Sequence, residues 1–598
     1  MLTVTAGRGP PACTFTWGLR VPAALLGLCG LWGIAGSAGA DEVATRALLA
    51  ETTLAAPAGE IPDVEPVANP RPPRYGPPDE TPGIPSDVAL ERDHAVIGQV
   101  LIDNQNIFNL EDPKDDTKVF RLADRLHVKT RASVVRSQLL FKPGQPYSSR
   151  LVQESERILR ANSYFYDAWI RPVRYQDGKV DLKVTTRDVW TLNPGFNYSR
   201  SGGTNSTGLQ LEEANLLGTG AALKYAYSST VDRSGSSVSL TDSHFLNSWT
   251  AVGLSYGNFS DGEQRGITVT RPFYSLDTRS AASFAAIHDT QVDPLYDLGQ
   301  IVDQFQDKHE LLQAYYGWSA GLKNGWVQRW TAGLTYDEHV FAPVSNSEGT
   351  TNLLPADRRF TYPFIEWDLV EDDYLKLWNH DQIGRTEDYQ LGMAAGARLG
   401  WAQAGLGSSS SALIMNASAH KGFREGKSTL LLYSDFSGRL QQGSLQNGLL
   451  NASARYYVEQ SKNWLFFSTV NGTKGWNLDL DNQILLGGDN GLRGYPLRYQ
   501  DGTARALFSV EQRYFTDWYP FRLFRVGGAI FYDMGRTWGN APLAQPSLGL
   551  LKDVGFGLRF GNARSGLGNV IHVDLAFPLD GGTGISKVQF LVQTQATF

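Results

Sequence analysis

The chain has 598 residues, 62 glycines, 11% aromatic residues and a formal net charge of −7. That length admits two or more domains, and the mildly acidic balance gives nucleic-acid binding no support. Both cysteines, Cys13 and Cys29, precede residue 41, so a chain processed there offers no disulfide, thiolate nucleophile or cysteine metal site.

At the start, Arg8 and Arg20 lead into the apolar run from Val21 to Ile34, and Ala38-Gly39-Ala40 forms a small-x-small cleavage site. Residues 1–40 therefore read as a secretory signal peptide. Residues 41–90 are rich in Ala, Glu and Pro, with Pro70, Pro72, Pro73, Pro77 and Pro78 crowded together, which predicts an extended linker.

Residues 91–190 have a different texture. Val96 to Ile102 is strand-like, and Thr130 is placed to cap a helix from Arg131 to Leu140, stopped by Lys142-Pro143-Gly144-Gln145-Pro146. Ser148 or Ser149 caps a second helix, with Leu151, Ile158 and Ala161 near one face. Ala168 to Tyr175 and Val180 to Val189 flank Gln176-Asp177-Gly178-Lys179, an Asp-Gly hairpin signal. The predicted order is β-α-α-β-β.

From residue 191 to 598 there is no run of about 18 apolar residues that would make a transmembrane helix. Short segments alternate apolar and polar between Gly, Asn, Asp and Ser, as in Ala221 to Tyr227, Ala251 to Tyr256 and Ile267 to Phe273. This predicts a mainly β fold, a transmembrane antiparallel β-barrel. Roughly twenty strand-like segments can be marked. Asp289 to Asp307 and His339 to Asp357 read as polar outer loops. Asp293, Asp297, Asp303 and Asp307 match no compact calcium loop and read as solvated. In the final segment Val588, Phe590, Val592, Thr594, Ala596 and Phe598 share one face, too long an apolar face for a soluble protein to expose.

Signals for chemistry are weak. Gly253-Leu254-Ser255-Tyr256-Gly257 satisfies G-x-S-x-G but lies in an alternating strand rather than at a strand-to-helix elbow. Gly422-Phe423-Arg424-Glu425-Gly426-Lys427-Ser428 is one residue short of a P-loop. The histidines show no metal spacing. His572 and Asp574 on one strand face read as polar filling of a lumen. No enzyme and no cofactor are expected.

The most specialised stretch is Gly487-Gly488-Asp489-Asn490-Gly491-Leu492-Arg493-Gly494-Tyr495-Pro496, in which glycine clusters flank one arginine. Such a composition is a loop. Two alternating strands follow, Ala504 to Phe515 and Arg522 to Asp533. On the first, Arg505, Ser509, Glu511 and Arg513 share a polar face, and on the second Asp533 points away from Tyr532.

The Leu492-Arg493-Gly494-Tyr495 loop, the acid-bearing strand with Glu511, and Phe531-Tyr532-Asp533-Met534-Gly535 resemble, in order, motifs of the outer-membrane protein assembly and transport factor superfamily. This is the BamA- and TamA-like, bacterial surface antigen type of barrel, preceded by polypeptide-transport-associated (POTRA) domains. The resemblance extends to Leu139-Leu140-Phe141-Lys142-Pro143-Gly144 and to Arg271-Pro272-Phe273-Tyr274. It implies a sixteen-stranded barrel over residues 191–598 in the bacterial outer membrane, and one POTRA-like domain over 91–190 in the periplasm. It also implies a lumen-entering loop over 476–503, with Glu511 and Asp533 as the wall partners of Arg493. Phe590, Val592 and Phe598 would belong to a C-terminal assembly signal. Implied partners are the lipid bilayer, unfolded client polypeptides at a POTRA sheet edge or a barrel seam, and accessory lipoproteins. The POTRA-like domain either receives clients or braces the barrel. The function implied is insertion or export of clients through a lateral seam and an Arg493-gated lumen. The alternative is a passive pore, structural surface barrel or lipid or solute conduit with the loop as plug. The last strand departs from the family in having no glycine from Lys587 onward.

Overall fold

The computed structural model describes residues 81–344, 353–539, 548–565, 570–582 and 584–595. The expected signal peptide, most of the proline-rich linker and Phe598 lie outside the described residues.

The first body is a small α+β domain: α1 (Asp87–Arg92), β1 (Val96–Gln105), α2 (Lys118–Leu126), α3 (Ala132–Ser137), α4 (Ser149–Arg160), β2 (Phe165–Gln176) and β3 (Lys179–Asp188). β3 lies between a parallel β1 and an antiparallel β2. The β2–β3 connection is the Asp-Gly turn, with φ of 52° at Asp177 and 72° at Gly178, the left-handed pair that a two-residue hairpin needs. Val180, Leu182 and Val184 on β3 are fully buried against Ile97, Val135 and Leu159. Two helices depart from the expected order. α1 starts inside the stretch read as linker. α2 occupies the polar interval, capped by Thr117, whose Oγ1 accepts from the Phe120 amide at 3.2 Å. α2 has no fully buried residue: its apolar stripe of Val119, Leu122 and Leu126 is exposed, and the helix is held by Phe120 stacked on Phe108 at 4.0 Å. Thr130 does not cap α3. Its amide and hydroxyl instead donate to Asp188 at 2.7 and 3.0 Å, tying the helix pair to β3, and Arg131 is the N-cap.

The second body is a closed antiparallel barrel. Among the described residues it has twenty strands, from Leu192–Ser201 to Gln589–Gln595, each paired with its sequence neighbours in the barrel. The sixteen implied by the resemblance is thereby corrected, because each alternating segment forms its own wall strand. The barrel closes between the last strand and the first, where the register among the described residues is the single pair Val592–Arg200.

The wall is polar inside and apolar outside. Leu334, Ile530, Trp401 and Phe556 are at least half exposed on the outer face, while Arg398, Arg513 and Arg559 are buried within. Such a wall suits an apolar surrounding outside and a filled lumen inside. The wall is uneven in height. The first six strands run for 9 or 10 residues, as in Leu192–Ser201 and Ala221–Ser229, and the last, Gln589–Gln595, for 7, whereas Ser280–Asp297, Gln300–Ser319 and Trp326–Pro343 run for 18, 20 and 18. Asp289 to Asp307 is therefore not an outer loop. It is a tall hairpin with a Leu298-Gly299 tip, and Asp293, Asp303 and Asp307 are buried on its inner face rather than solvated. His339 likewise sits in a strand.

Two further hairpins leave the wall. Tyr374–Trp378 pairs with Thr386–Gln390 at the end of the barrel facing the small domain. Ile484–Leu486 pairs with Gln500–Gly502 at the far end and carries the glycine-rich loop.

Candidate functional site

The strands Ala504–Phe515 and Phe524–Trp538 pair with Glu511 opposite Phe531 and Ser509 opposite Asp533. Glu511 and Asp533 thus stand diagonally on the inner face, 5% and 0% exposed. Arg493 descends from the far-end loop to meet them. Its Nε and Nη2 donate to the two Asp533 oxygens at 2.7 and 2.8 Å, and its Nη1 donates to Glu511 Oε1 at 2.7 Å. The guanidinium lies over the Phe531 ring, 3.4 Å from its centroid. A planar fork on two carboxylates, backed by an aromatic face, suits arginine and not lysine. Asp553 stands opposite Asp533 in the next strand, so the wall presents a further acid beside the pair. Removing the cation would leave these acids buried together.

The loop is shaped to deliver this side chain. Leu492 and Tyr495, on either side of the arginine, are fully buried and pack with Leu486, Leu507 and Leu551. The Tyr495 hydroxyl donates to the Lys552 carbonyl at 2.8 Å. At Gly494 a Cβ would fall 2.7 Å from Asp553 Cβ and 3.1 Å from the Pro578 nitrogen, so glycine alone lets the backbone pass the wall. The Gly488 carbonyl accepts from the Ser201 hydroxyl at 2.6 Å, linking the loop to the first strand.

The four loop residues Leu492 to Tyr495 and the acids Glu511 and Asp533 are therefore brought together. Phe590 and Val592 lie apart from them on the last strand, with Phe590 44% exposed on the outer face. His572 and Asp574 are both buried on the inner face, and Asp574 is ion-paired with Arg559.

Three parts of the site escape a sequence reading. Arg498, in the same loop, makes a fork to Asp232 at 2.6 and 2.7 Å and bonds the Tyr296 hydroxyl. A second loop arginine was a visible signal. Arg358 and Arg439 hold the start of the loop through Asp481 and Asp479, at 2.6 Å each. The third part is the Tyr374–Gln390 hairpin, which had no signal. It wedges Ile383 and Tyr389 among inward residues such as Tyr457, Phe467 and Phe515. Arg513 joins the two insertions, since its Nε donates to Glu511 Oε2 at 2.9 Å and its Nη1 to the His380 carbonyl at 3.0 Å.

The same hairpin holds the small domain. Arg160 of α4 forks onto Asp388 at 2.8 and 2.9 Å, Lys376 reaches Glu156 at 2.7 Å, and Thr386 donates to Asp167 at 2.9 Å. A continuous run of ion pairs and hydrogen bonds thus passes from Arg493 to the small domain. Asp115 adds a second anchor, bonded to Arg522 and Arg564 on two near-end turns.

Fold and site together define a closed antiparallel β-barrel, inside-polar and outside-apolar, entered from both ends by its own chain. No protein-family model matches the sequence, and no curated protein does. Among solved structures, CdiB from Acinetobacter baumannii is similar at 12% identity and TM-score 0.42, over 84% of this chain and 74% of that one. CdiB from Escherichia coli is similar at 11% and 0.43, over 84% and 77%. BamA from Haemophilus ducreyi lacking POTRA domains 1–3 is similar at 12% and 0.34, over 83% and 84%. At these scores and identities the likeness decides neither family nor function.

Proposed function

We propose that this chain is a bacterial outer-membrane barrel that inserts or exports client polypeptides, with its small α+β domain a POTRA-like module in the periplasm. One observation carries the reading: the Arg493 loop braces both sides of the barrel's closing seam. It holds Ser201 on the first strand through Gly488. Across the seam it holds Asp533, Lys552 and, by close packing at Gly494, the strand ending at Pro578. The last strand, Gln589–Gln595, lies between these two grips. Withdrawal of the loop would free the seam edges to pair with an incoming strand, because edge strands offer unpaired backbone groups. The ion pairs of Arg493 with Glu511 and Asp533 set the balance between held and released states.

Quantitative proteomics of isolated outer membranes, after depletion of the protein and beside an Arg493→Ala strain, tests this. Loss of the same few barrel or surface proteins in both strains is the expected result. An unchanged outer-membrane proteome would overturn it. A second reading, a solute or lipid conduit plugged by the loop, draws on the twenty-strand girth, since barrel diameter grows with strand number. It predicts that Arg493→Ala raises conductance in planar bilayers while the proteome stays constant.

A further inference from the structure

The tall wall carries a side-chain cluster that the seam and loop leave unused. Asp289, His309 and His339 are register partners across the three neighbouring strands Ser280–Asp297, Gln300–Ser319 and Trp326–Pro343. Asp307 and Asp337 flank the two histidines two residues along the same inner face. Four of the five residues are buried, and the Asp337 side chain is 20% exposed.

Both imidazoles turn toward one carboxylate. His309 Nε2 lies 2.9 Å from Asp337 Oδ1, and His339 Nε2 lies 3.6 Å from the same oxygen. One ligand atom from each of His309, Asp337 and His339 falls within 4.8 Å of the others. Metal–ligand bonds of about 2.0–2.1 Å in a tetrahedral shell place neighbouring ligand atoms roughly 3.3 Å apart, within the span these contacts cover. His339 is also held from behind. Its Nδ1 meets Asp307 Oδ2 at 3.0 Å, the carboxylate–imidazole contact that fixes the tautomer and leaves Nε2 as the donor atom for a metal.

The cluster is over-supplied with negative charge. The buried Asp289 oxygens and His309 Nδ1 make no hydrogen bond. The Arg233 guanidinium stands 3.8 Å from Asp289 but is committed to Asp261 at 2.9 Å. Buried carboxylates need a partner, and orphaned buried polar atoms call for an ordered water or an ion. Two imidazole nitrogens exclude the all-oxygen shells of calcium and magnesium and suit a transition metal.

We propose that His309, His339 and Asp337 bind one divalent transition-metal ion of the zinc class in the lumen wall, with Asp307 as the carboxylate that positions His339 and Asp289 as the adjoining acid. The ion cross-links two of the three tallest strands and completes the charge balance of that wall. The imidazoles are stacked 4.1 Å apart at 3°, and binding tilts at least one ring so that the ion lies in both ring planes.

The test uses the full chain purified in detergent, stripped with chelator and titrated with Zn²⁺, and with Co²⁺ for its visible absorption in tetrahedral sites. One tightly bound equivalent is expected. Asp307→Asn, which removes no ligand, should weaken it by about 10–100-fold. His309→Gln with His339→Gln should abolish it while heat-modifiable gel migration shows an intact barrel, and Asp337→Asn supplies the same loss should the double variant not fold. Failure of the stripped protein to take up Zn²⁺ or Co²⁺ overturns the proposal. So does uptake by folded ligand variants equal to that of the unsubstituted chain.

Discussion

Arg493 shows why a buried ion cluster behaves as a unit. Its two partners lie on adjacent strands and are nearly inaccessible, and a third acid, Asp553, stands beside Asp533. Deleting the cation strands carboxylates in the lumen wall, whereas neutralising Arg493, Glu511 and Asp533 together removes that imbalance and leaves Arg513 with Asp381 as its carboxylate partner at 3.5 Å. Arg493→Ala should therefore lower barrel stability by about 3–5 kcal/mol, as expected when one partner of a buried pair is lost. The triple change Arg493→Met, Glu511→Gln and Asp533→Asn should restore most of it. Urea unfolding in detergent, read by tryptophan fluorescence, measures both. Equal stability of the single variant and the parent would remove the lock on which the functional reading rests. Arg493, Glu511 and Asp533 were legible in sequence because they lie within one loop and the next two strands; Asp553, one strand further on, was not. Arg513 reads in sequence only as a polar-face residue, since its link to the near-end hairpin spans distant parts of the chain.

Among the elements, α4 carries contacts between domain and barrel. Glu154 accepts from the Leu276 amide on a near-end turn at 3.3 Å, and Arg150 of the same helix reaches Asp277. Burial pushes the Glu154 carboxyl up from 4.5 to about 8, against the smaller opposing pull of Arg157 and Arg150. A carboxyl raised on docking favours the docked state while protonated. That contribution is complete below 4.5 and is lost as pH rises through about 8. Release of the small domain, followed by hydrogen exchange of α4, should thus increase between pH 5 and 9 (about the span of that titration). Glu154→Gln should flatten the dependence. An unaltered pH profile in that variant would assign the effect elsewhere. Residues 149–160 read as a helix in sequence, although Ser148 at the N-cap makes no side-chain bond and the buried face carries Val152, Ser155 and Leu159 rather than Leu151 and Ile158. Its role as a contact is not legible there, because buried Glu154 and Glu156 look in sequence like solvated surface.

For the molecule as a whole, the seam decides between a device that opens and a barrel that stays shut. Val592 and Arg200 are register partners across it. Cα atoms of antiparallel partners lie about 4.5–5.5 Å apart, within disulfide range. Arg200→Cys with Val592→Cys should form a bond on oxidation, since the native cysteines, Cys13 and Cys29, both precede residue 41. Oxidation should then halt accumulation of client proteins in the outer membrane, and reductant should restore it. Normal client levels in the cross-linked strain would exclude lateral opening as the route.

Local pattern settled much of this protein. Alternation with a period of two marked wall segments such as Ala221 to Tyr227, Ala251 to Tyr256 and Ile267 to Phe273, Asp-Gly marked the β2–β3 turn, and clustered glycines around one arginine marked a loop. These features depend on neighbours in sequence, where backbone geometry and side-chain direction are fixed locally. What the tertiary structure alone decided depends on register between distant strands. Closure with twenty strands, the burial of Asp293, Asp303 and Asp307 inside a tall hairpin, and the meeting of His309 with His339 and Asp337 all arise there. In an antiparallel wall each strand's inner face is shared with its neighbours, so a charge or imidazole that looks isolated along the chain gains its partners only when the barrel closes.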